Sequence, residues 1–194
     1  MNFVKKALPV LVFFFLINGS NLLAQEGMEM TAEQKAWMDY MTPGKAHQML
    51  AEGVGSWKVH TKMWMDPSAA PMESDGTSQA EMILGGRYLQ STFSGTMMGM
   101  PFEGISITGF DNAKKEFFNT WIDNMGTGLA YATGKYNEAA NAIEFKGMMV
   151  DPMTGKDSPF REVFKVIDQK KMVMEMYWEM DGKEFLGLEL TYTR

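Results

Sequence analysis

Residues 171–180, KMVMEMYWEM, place sulfur and indole side chains on alternate positions of one short segment. These side chains belong to Met172, Met174, Met176, Trp178 and Met180. Thioether sulfur is a soft ligand that suits Cu(I), and same-face neighbours on a strand have Cα atoms roughly 7 Å apart. Methionine also fills irregular apolar space. Because no His or Cys lies near in the sequence, we favour the wall of a core or cavity, with methionine-mediated Cu(I) binding as the alternative.

Histidine and cysteine are scarce in this chain, which has 2 His and 0 Cys. His47 falls on a predicted helix, and His60 falls on the polar face of a predicted strand. Zinc and haem sites need clustered or axial ligands. The sequence therefore predicts surface or capping histidines, no classical metal site and no cofactor, with a barrel that carries one haem on a single His as the alternative.

Three carboxylates near strand ends are candidates for acid–base chemistry. Asp123, Glu103 and Asp111 could act in catalysis if a barrel interior raised the pKa of one of them. Asp111 and Asp123 each precede an Asn, and Asp in such positions commonly caps turns. No Ser/His/Asp order, phosphate-cradling glycine loop or nucleophile elbow is present. We expect a non-catalytic protein and keep an enzyme with Asp123 or Glu103 as the interior acid as a further alternative.

The N-terminus has the pattern of a secretory signal peptide. Lys5 and Lys6 precede the apolar run 7–17, and NGSNLLA leads to a cut after Ala24. The apolar run is shorter than the 20 or so residues that span a bilayer, so we predict no stable membrane anchor after cleavage. The expected division is a signal peptide over 1–24, a flexible tail over 25–30 and one domain over 31–194. The product is predicted to be exported, either periplasmic or secreted.

Charge argues against a nucleic-acid partner. Removal of residues 1–24 takes away two lysines and no acid, which moves the net charge from −6 to −8. An acidic domain has no electrostatic footprint for nucleic acid or for an anionic membrane. The sequence leaves the oligomeric state open.

Two short helices and a series of strands are expected to position these residues. Thr31 and Gln34 form a capping box for a helix over about 32–41, and Thr42-Pro43 predicts a second helix that Gly53 stops. Turn signals then recur every 8–12 residues or so, which is typical of a sandwich or barrel. The predicted strands lie at roughly 56–65, 76–84, 86–96, 102–110, 115–123, 128–136, 142–150, 159–167, 171–180 and 184–193.

Period-two alternation indicates which faces turn inward. The ninth strand carries its methionines opposite acids, the tenth carries Leu186, Leu188, Leu190 and Tyr192 on one face, and the first carries Trp57 with its alternate neighbours. In a closed meander the first and last strands are neighbours. Arg194 could therefore lie over the Trp57 indole as a cation–π contact.

Several stretches resemble a known family. Gly-x-Trp at the first strand, the preceding helix and the late-strand Arg resemble the calycin superfamily of lipocalins and fatty-acid-binding proteins. PGKAHQML, ILGGRYLQ, PFEGISITGFDN, TWIDNMGTG and LELTYTR are similar to the bacterial family known as domain of unknown function 1579. The resemblance implies an antiparallel calycin-like barrel, and it brings no established activity and no catalytic residues.

These observations predict an all-β fold, an antiparallel up-and-down barrel of about ten strands with a short N-terminal helical segment over 31–53. Barrels of eight or more strands can hold a small ligand. We expect a carrier or sensor of a hydrophobic small molecule, with Arg87 or Arg194 holding a polar head group; a solid barrel with a structural role is the remaining alternative. The predicted ligand-binding residues are Trp57, Met63, Arg87, Trp121, Met172, Met174, Met176, Trp178, Leu188, Leu190 and Arg194.

Overall fold

The computed structural model describes residues 29–194. The predicted signal peptide and residues 25–28 of the predicted tail lie outside the described residues. The two helices are α1 (Ala32–Met41) and α2 (Lys45–Ala51). The strands are β1 (Gly55–Met63), β2 (Met72–Ile83), β3 (Tyr88–Met97), β4 (Met100–Asp111), β5 (Glu116–Asp123), β6 (Ala130–Asn137), β7 (Ala142–Asp151), β8 (Lys156–Asp168), β9 (Lys171–Met180) and β10 (Lys183–Thr193).

The strands form one closed antiparallel barrel in which every strand pairs with its neighbours in sequence, and β1 pairs with β10. The predicted all-β, up-and-down barrel is therefore confirmed. Tight hairpins join several strands, because short strand connections with positive φ match the twist of the sheet. Asp181 and Gly182 have φ values of 52° and 73°, as a type I′ turn requires. Met98 and Gly99 make an equivalent turn, so β3 and β4 extend further into the GTMMGMP segment than predicted.

The predicted capping box begins α1. The backbone N–H of Gln34 donates to the Thr31 hydroxyl at 3.2 Å, and the Gln34 side chain accepts from the Thr31 N–H at 2.9 Å. Neither described helix has the length and hydropathy that crossing a bilayer requires.

The predicted start of α2 is wrong by two residues. Thr42 ends α1 instead of beginning α2, because its hydroxyl and its N–H both donate to the carbonyl of Met38. The N-cap of α2 is Gly44, whose N–H donates to Nδ1 of His47 at 3.0 Å. The sequence suggested the Thr42 hydroxyl as the cap, whereas in the structure the imidazole of His47 accepts the N–H of the N-cap residue.

Helix α2 closes one end of the barrel. It contacts β3 and β4, and Leu50 joins the buried cluster that includes Phe117 and Phe145. This end of the barrel is consequently covered by α2, and the opposite end is formed by strand ends and hairpins.

Inward and outward faces follow the predicted alternation in β9. Met172 and Met174 are buried, whereas Glu175 on the outer face binds Lys165 of β8 at 2.9 Å.

In β10 the prediction that Leu186 faces inward is wrong. A bulge at Gly187 shifts the register so that Phe185 pairs with Trp178 and Leu186 pairs with Tyr177, which places Leu186 on the outer face.

Candidate functional site

The barrel contains a cavity of about 740 Å³ that is partly open to solvent. Its lining runs from Lys45, Gln48 and Glu52 on the exposed side of α2 to Met63 and Met97 at the opposite strand ends. Ligand cavities in proteins commonly measure about 300–1,000 Å³. The interior is therefore large enough for a small organic molecule.

Large aromatic rings on the inner face lie over glycines of neighbouring strands. At each of these glycines a Cβ would come within 2.0–2.5 Å of a ring atom. The pairs are Phe93 over Gly76, Trp121 over Gly104, Phe160 over Gly147 and Trp178 over Gly187. Since these rings lie along the wall, they cover the backbone without filling the centre of the barrel.

A row of small side chains widens the cavity on one side. Ala80, Ser91 and Ser106 pair across β2, β3 and β4, and all three line the cavity. The wall on the other side carries bulkier side chains, including Phe145 and Met174. The asymmetry gives an interior with one mainly apolar wall and one wall that bears hydroxyl groups.

Most of the predicted ligand-binding residues line this cavity. They are Trp57, Met63, Trp121, Met172, Met174, Met176, Trp178, Leu188 and Leu190. Their contact with a ligand stays a prediction.

The two predicted head-group residues do not line the cavity. The Arg194 guanidinium lies 4.2 Å from the centre of the Trp57 ring, which agrees with the predicted cation–π geometry. Its Nη1 donates to the Val54 carbonyl at 2.7 Å and its Nε donates to the Gln169 carbonyl at 2.8 Å. These bonds hold Arg194 at the seam between β1 and β10, where its donors serve the main chain.

Arg87 also donates its hydrogen bonds to main-chain carbonyls. Its Nη1 donates to the Leu84 carbonyl at 3.0 Å and its Nη2 donates to the Met41 carbonyl at 2.7 Å. Arg87 therefore ties the end of α1 to the turn between β2 and β3, away from the cavity lining.

Met174 of β9 has apolar neighbours on both flanking strands, whereas Met176 has an apolar neighbour on β10 and Glu162 as its neighbour on β8. Met176 pairs with Leu188 and Met174 pairs with Leu190 and Phe164, all on the inner face. These neighbours favour packing as the role of the sulfurs. Cu(I) binding stays a prediction.

The carboxylates singled out from the sequence have separate positions. Glu103 is exposed and is not part of the cavity lining, so it is not the interior acid that the sequence suggested. Asp123 lies at the rim, where it accepts from Nε1 of Trp121 at 2.7 Å and from the N–H of Met125 at 2.9 Å. Asp111 caps its turn by accepting from the N–H groups of Lys114 and Ala113, which lowers its pKa.

The interior acid is Glu162, which the sequence reasoning missed. It lies on β8, lines the cavity and is only 6% exposed. Its position in the alternation of β8 could have revealed it, because Phe160, Glu162 and Phe164 share one face of the strand. The uneven alternation of β8 obscured this signal, since the outward Val163 is also buried.

Two polar side chains accompany Glu162 in the cavity. Burial raises the pKa of Glu162 to about 7, and a hydrogen bond with the Asn119 side chain opposes the shift. Tyr192 lines the same cavity, where burial and the negative charge of Glu162 raise the pKa of its phenol. The Asn119 oxygen also accepts from the Thr108 hydroxyl at 3.3 Å. The pKa of the Glu162 carboxyl group thus lies near neutral pH inside the cavity.

The histidines take the predicted surface and capping roles. His60 lies on the outer face, with Nδ1 at 2.9 Å from a carboxylate oxygen of Asp75. His47 is buried, and burial followed by the charge of Arg87 lowers its pKa. A neutral imidazole is the form that accepts the Gly44 N–H.

The fold and the cavity define a hollow, closed antiparallel barrel with one end covered by a helix. The chain belongs to the family described as protein of unknown function DUF1579, whose model matches residues 42–194. Its structure is similar to the crystal structure of Rv2717c from M. tuberculosis, with a TM-score of 0.59 and 15% identity over 79% of this chain and 99% of that chain. This similarity concerns the fold. A search of curated proteins finds no match.

Proposed function

We propose that this protein is an exported, non-catalytic carrier or sensor of a hydrophobic small molecule held inside the barrel. The observation that carries the proposal is the cavity of about 740 Å³, which a barrel with a solid core would not contain. Export is inferred from the charged, apolar and small-residue pattern of the N-terminal 24 residues.

Apolar contact is the expected source of affinity. Trp57, Leu188 and Leu190 offer flat and branched surfaces to a ligand. Each Å² of apolar surface that binding removes from water contributes about 25 cal/mol to the binding free energy. The methionines of β9 adapt to ligands of different shape because the thioether chain is flexible. A ligand held in this way needs no metal or cofactor.

Native mass spectrometry of the purified protein tests for a bound organic molecule that is released on denaturation. Binding of the neutral fluorescent probe N-phenyl-1-naphthylamine tests whether the interior is accessible. Ser106→Phe places a ring in the cavity, whereas Ser94→Phe adds the same ring to the exposed face of β3 and serves as the control.

We expect the probe to bind the unchanged protein and Ser94→Phe, and to bind Ser106→Phe at least roughly tenfold more weakly, the effect of about 1.4 kcal/mol. Thermal unfolding of both variants checks that each is folded. A protein that neither carries a molecule nor binds the probe would exclude the carrier role. Equal binding by both variants would place the probe outside the cavity and would count against the proposal as well.

A further inference from the structure

Glu162 is a carboxyl group inside the barrel with no cationic partner among the described residues. It pairs with Phe145 on β7 and with Met176 on β9, so both of its flanking neighbours are apolar. On the outer face of β8, Arg161 binds Glu184 at 2.7 Å and Lys165 binds Glu175 at 2.9 Å.

The charges that line the cavity are few. Among the described residues they are Lys45, Glu52, Asp123 and Glu162. Lys45 and Glu52 lie on the exposed side of α2, and Asp123 is bound to the Trp121 indole at the rim. The inner part of the cavity therefore presents one carboxyl group, with Asn119 and Tyr192 as its polar neighbours.

We propose that Glu162 is the head-group site of the cavity and that the preferred ligand is an amphiphile with a primary ammonium group. This inference rests on the proposed carrier function and adds the chemical class of the ligand. An ammonium group supplies the cation that the buried carboxylate lacks, and its N–H groups form charge-assisted hydrogen bonds. The alkyl part of the ligand lies against the apolar wall of β9 and β10.

Other head groups fit this interior less well. Above about pH 7 a carboxylate ligand would place a second negative charge beside the ionised Glu162, and like charges in an apolar site repel strongly. A neutral alcohol would form one ordinary hydrogen bond. A hydrogen bond to a charged group is stronger than one between neutral groups, and the difference in binding free energy corresponds to roughly 10-fold in affinity.

Binding of an ammonium group is coupled to proton release. In the empty protein the carboxyl group of Glu162 retains its proton up to about neutral pH, because burial raises its pKa to about 7. When the ammonium binds, the O–H bond of the acid breaks, the proton leaves to solvent and the carboxylate pairs with the cation. Affinity for the amine is therefore expected to rise as the pH increases from about 6 to 8.

Calorimetric titration with decylammonium, 1-decanol and decanoate tests the inference on the full chain. Glu162→Gln removes the charge and keeps the shape, and Glu179→Gln makes the same change at an exposed position of β9 as the control. We expect decylammonium to bind the unchanged protein at least roughly tenfold more tightly than decanol. Glu162→Gln should lose that advantage and keep its affinity for decanol, and Glu179→Gln should behave like the unchanged protein.

Titration in two buffers of different ionisation enthalpy measures the released protons. We expect release from the unchanged protein and none from Glu162→Gln. Equal affinity for decylammonium in Glu162→Gln and the unchanged protein would overturn the inference, as would tighter binding of decanoate than of decylammonium. Decanol binding without a preference for the amine would overturn only this inference, whereas failure of all three compounds to bind would overturn the carrier function with it.

Discussion

The indole ring of Trp178 lies against the backbone of Gly187 on the neighbouring strand, where a Cβ would be 2.0 Å from the ring. The glycine is also the residue at which β10 bulges, and the bulge brings Phe185 opposite Trp178 with ring centres 6.1 Å apart. One residue without a side chain thus allows a large ring to lie along the wall. The same arrangement recurs at Trp121 and Gly104.

Gly187→Ala is expected to destabilise the protein by about 1–3 kcal/mol, because the added methyl group forces the Trp178 ring out of its position. Urea unfolding followed by circular dichroism measures the change. Gly128→Ala is the control, since no atom lies within 4 Å of a Cβ at that position. Equal stability of the two variants would mean that the ring moves without cost.

Glu162 is expected to make the stability of the protein fall as the pH rises. Its pKa increases from 4.5 in the unfolded chain to about 7 in the folded protein. Below pH 4.5 the group is protonated in both states, and above pH 7 the folded state carries a buried charge. The free energy of unfolding is expected to fall by roughly 3 kcal/mol as the pH rises through this interval.

The measurement compares the free energy of unfolding of the unchanged protein and Glu162→Gln at pH 5 and pH 8. Glu162→Gln should gain relative stability at pH 8, because it has no carboxyl group to ionise. A difference between the two proteins that is the same at both pH values would contradict this assignment.

His47 is expected to make the stability of the protein fall as the pH decreases, which is the opposite of the effect of Glu162. Its pKa is lowered in the folded protein, first by burial and then by Arg87, so the stability that it contributes is present above pH 6.5 and is lost as the pH falls through the folded pKa. Protonation also removes the acceptor that caps the Gly44 N–H. Amide hydrogen exchange should show that α2 opens more readily at pH 5 than at pH 8.

Replacement of His47 separates its two roles. In His47→Gln the amide oxygen can still accept the Gly44 N–H at any pH, as Gln does at the third position of a capping box. This variant should keep α2 protected at both pH values, whereas His47→Phe should lose the cap at both, at a cost of about 1 kcal/mol. The same acid sensitivity in His47→Gln would show that another group is responsible.

Arg194→Ala is expected to destabilise the barrel by about 1–3 kcal/mol, because it removes two hydrogen bonds to main-chain carbonyls and the stacking on Trp57. Arg194→Lys should recover only part of this loss, since an ammonium lacks the planar fork. Denaturant unfolding gives the energies, and hydrogen exchange in β1 and β10 shows whether the loss is at the seam. Full recovery by Lys would argue that charge alone matters.

Met174→Leu with Met176→Leu is expected to change the stability by less than about 1.5 kcal/mol, because leucine has a similar volume and the paired residues Phe164, Leu188 and Leu190 are apolar. Native mass spectrometry after Cu(I) exposure should give the same adducts for this double variant and the unchanged protein. Loss of a stoichiometric copper adduct in a folded double variant would instead support the copper interpretation.

Local patterns were sufficient to predict much of the fold. Alternation in β9 and turn residues such as Asp181-Gly182 are features of a few consecutive residues, so they can be seen in the sequence. The contact between Trp57 and Arg194 was predictable because an up-and-down barrel has only one way to close. The DUF1579 resemblance agreed with this architecture and was confirmed by the family match.

The errors have a common physical origin. Leu186 was assigned to the wrong face because β10 bulges at Gly187, where the ring of Trp178 on β9 lies against the glycine backbone. The start of α2 was misplaced because Thr42 ends α1, and the N–H of the N-cap residue Gly44 finds its acceptor in the imidazole of His47. Glu162 was missed because a buried residue on the outer face of β8 blurred the alternation.

The sequence by itself determined ten strands, their order around the barrel and most of the inward-facing side chains, because these follow from periodicity and short turns. Only the tertiary structure decided that the interior is hollow and that one carboxyl group lies inside it without a cationic partner among the described residues. Whether a barrel is filled depends on which rings lie over which glycines across the strands. That fit is made between residues far apart in the chain, and no local pattern encodes it.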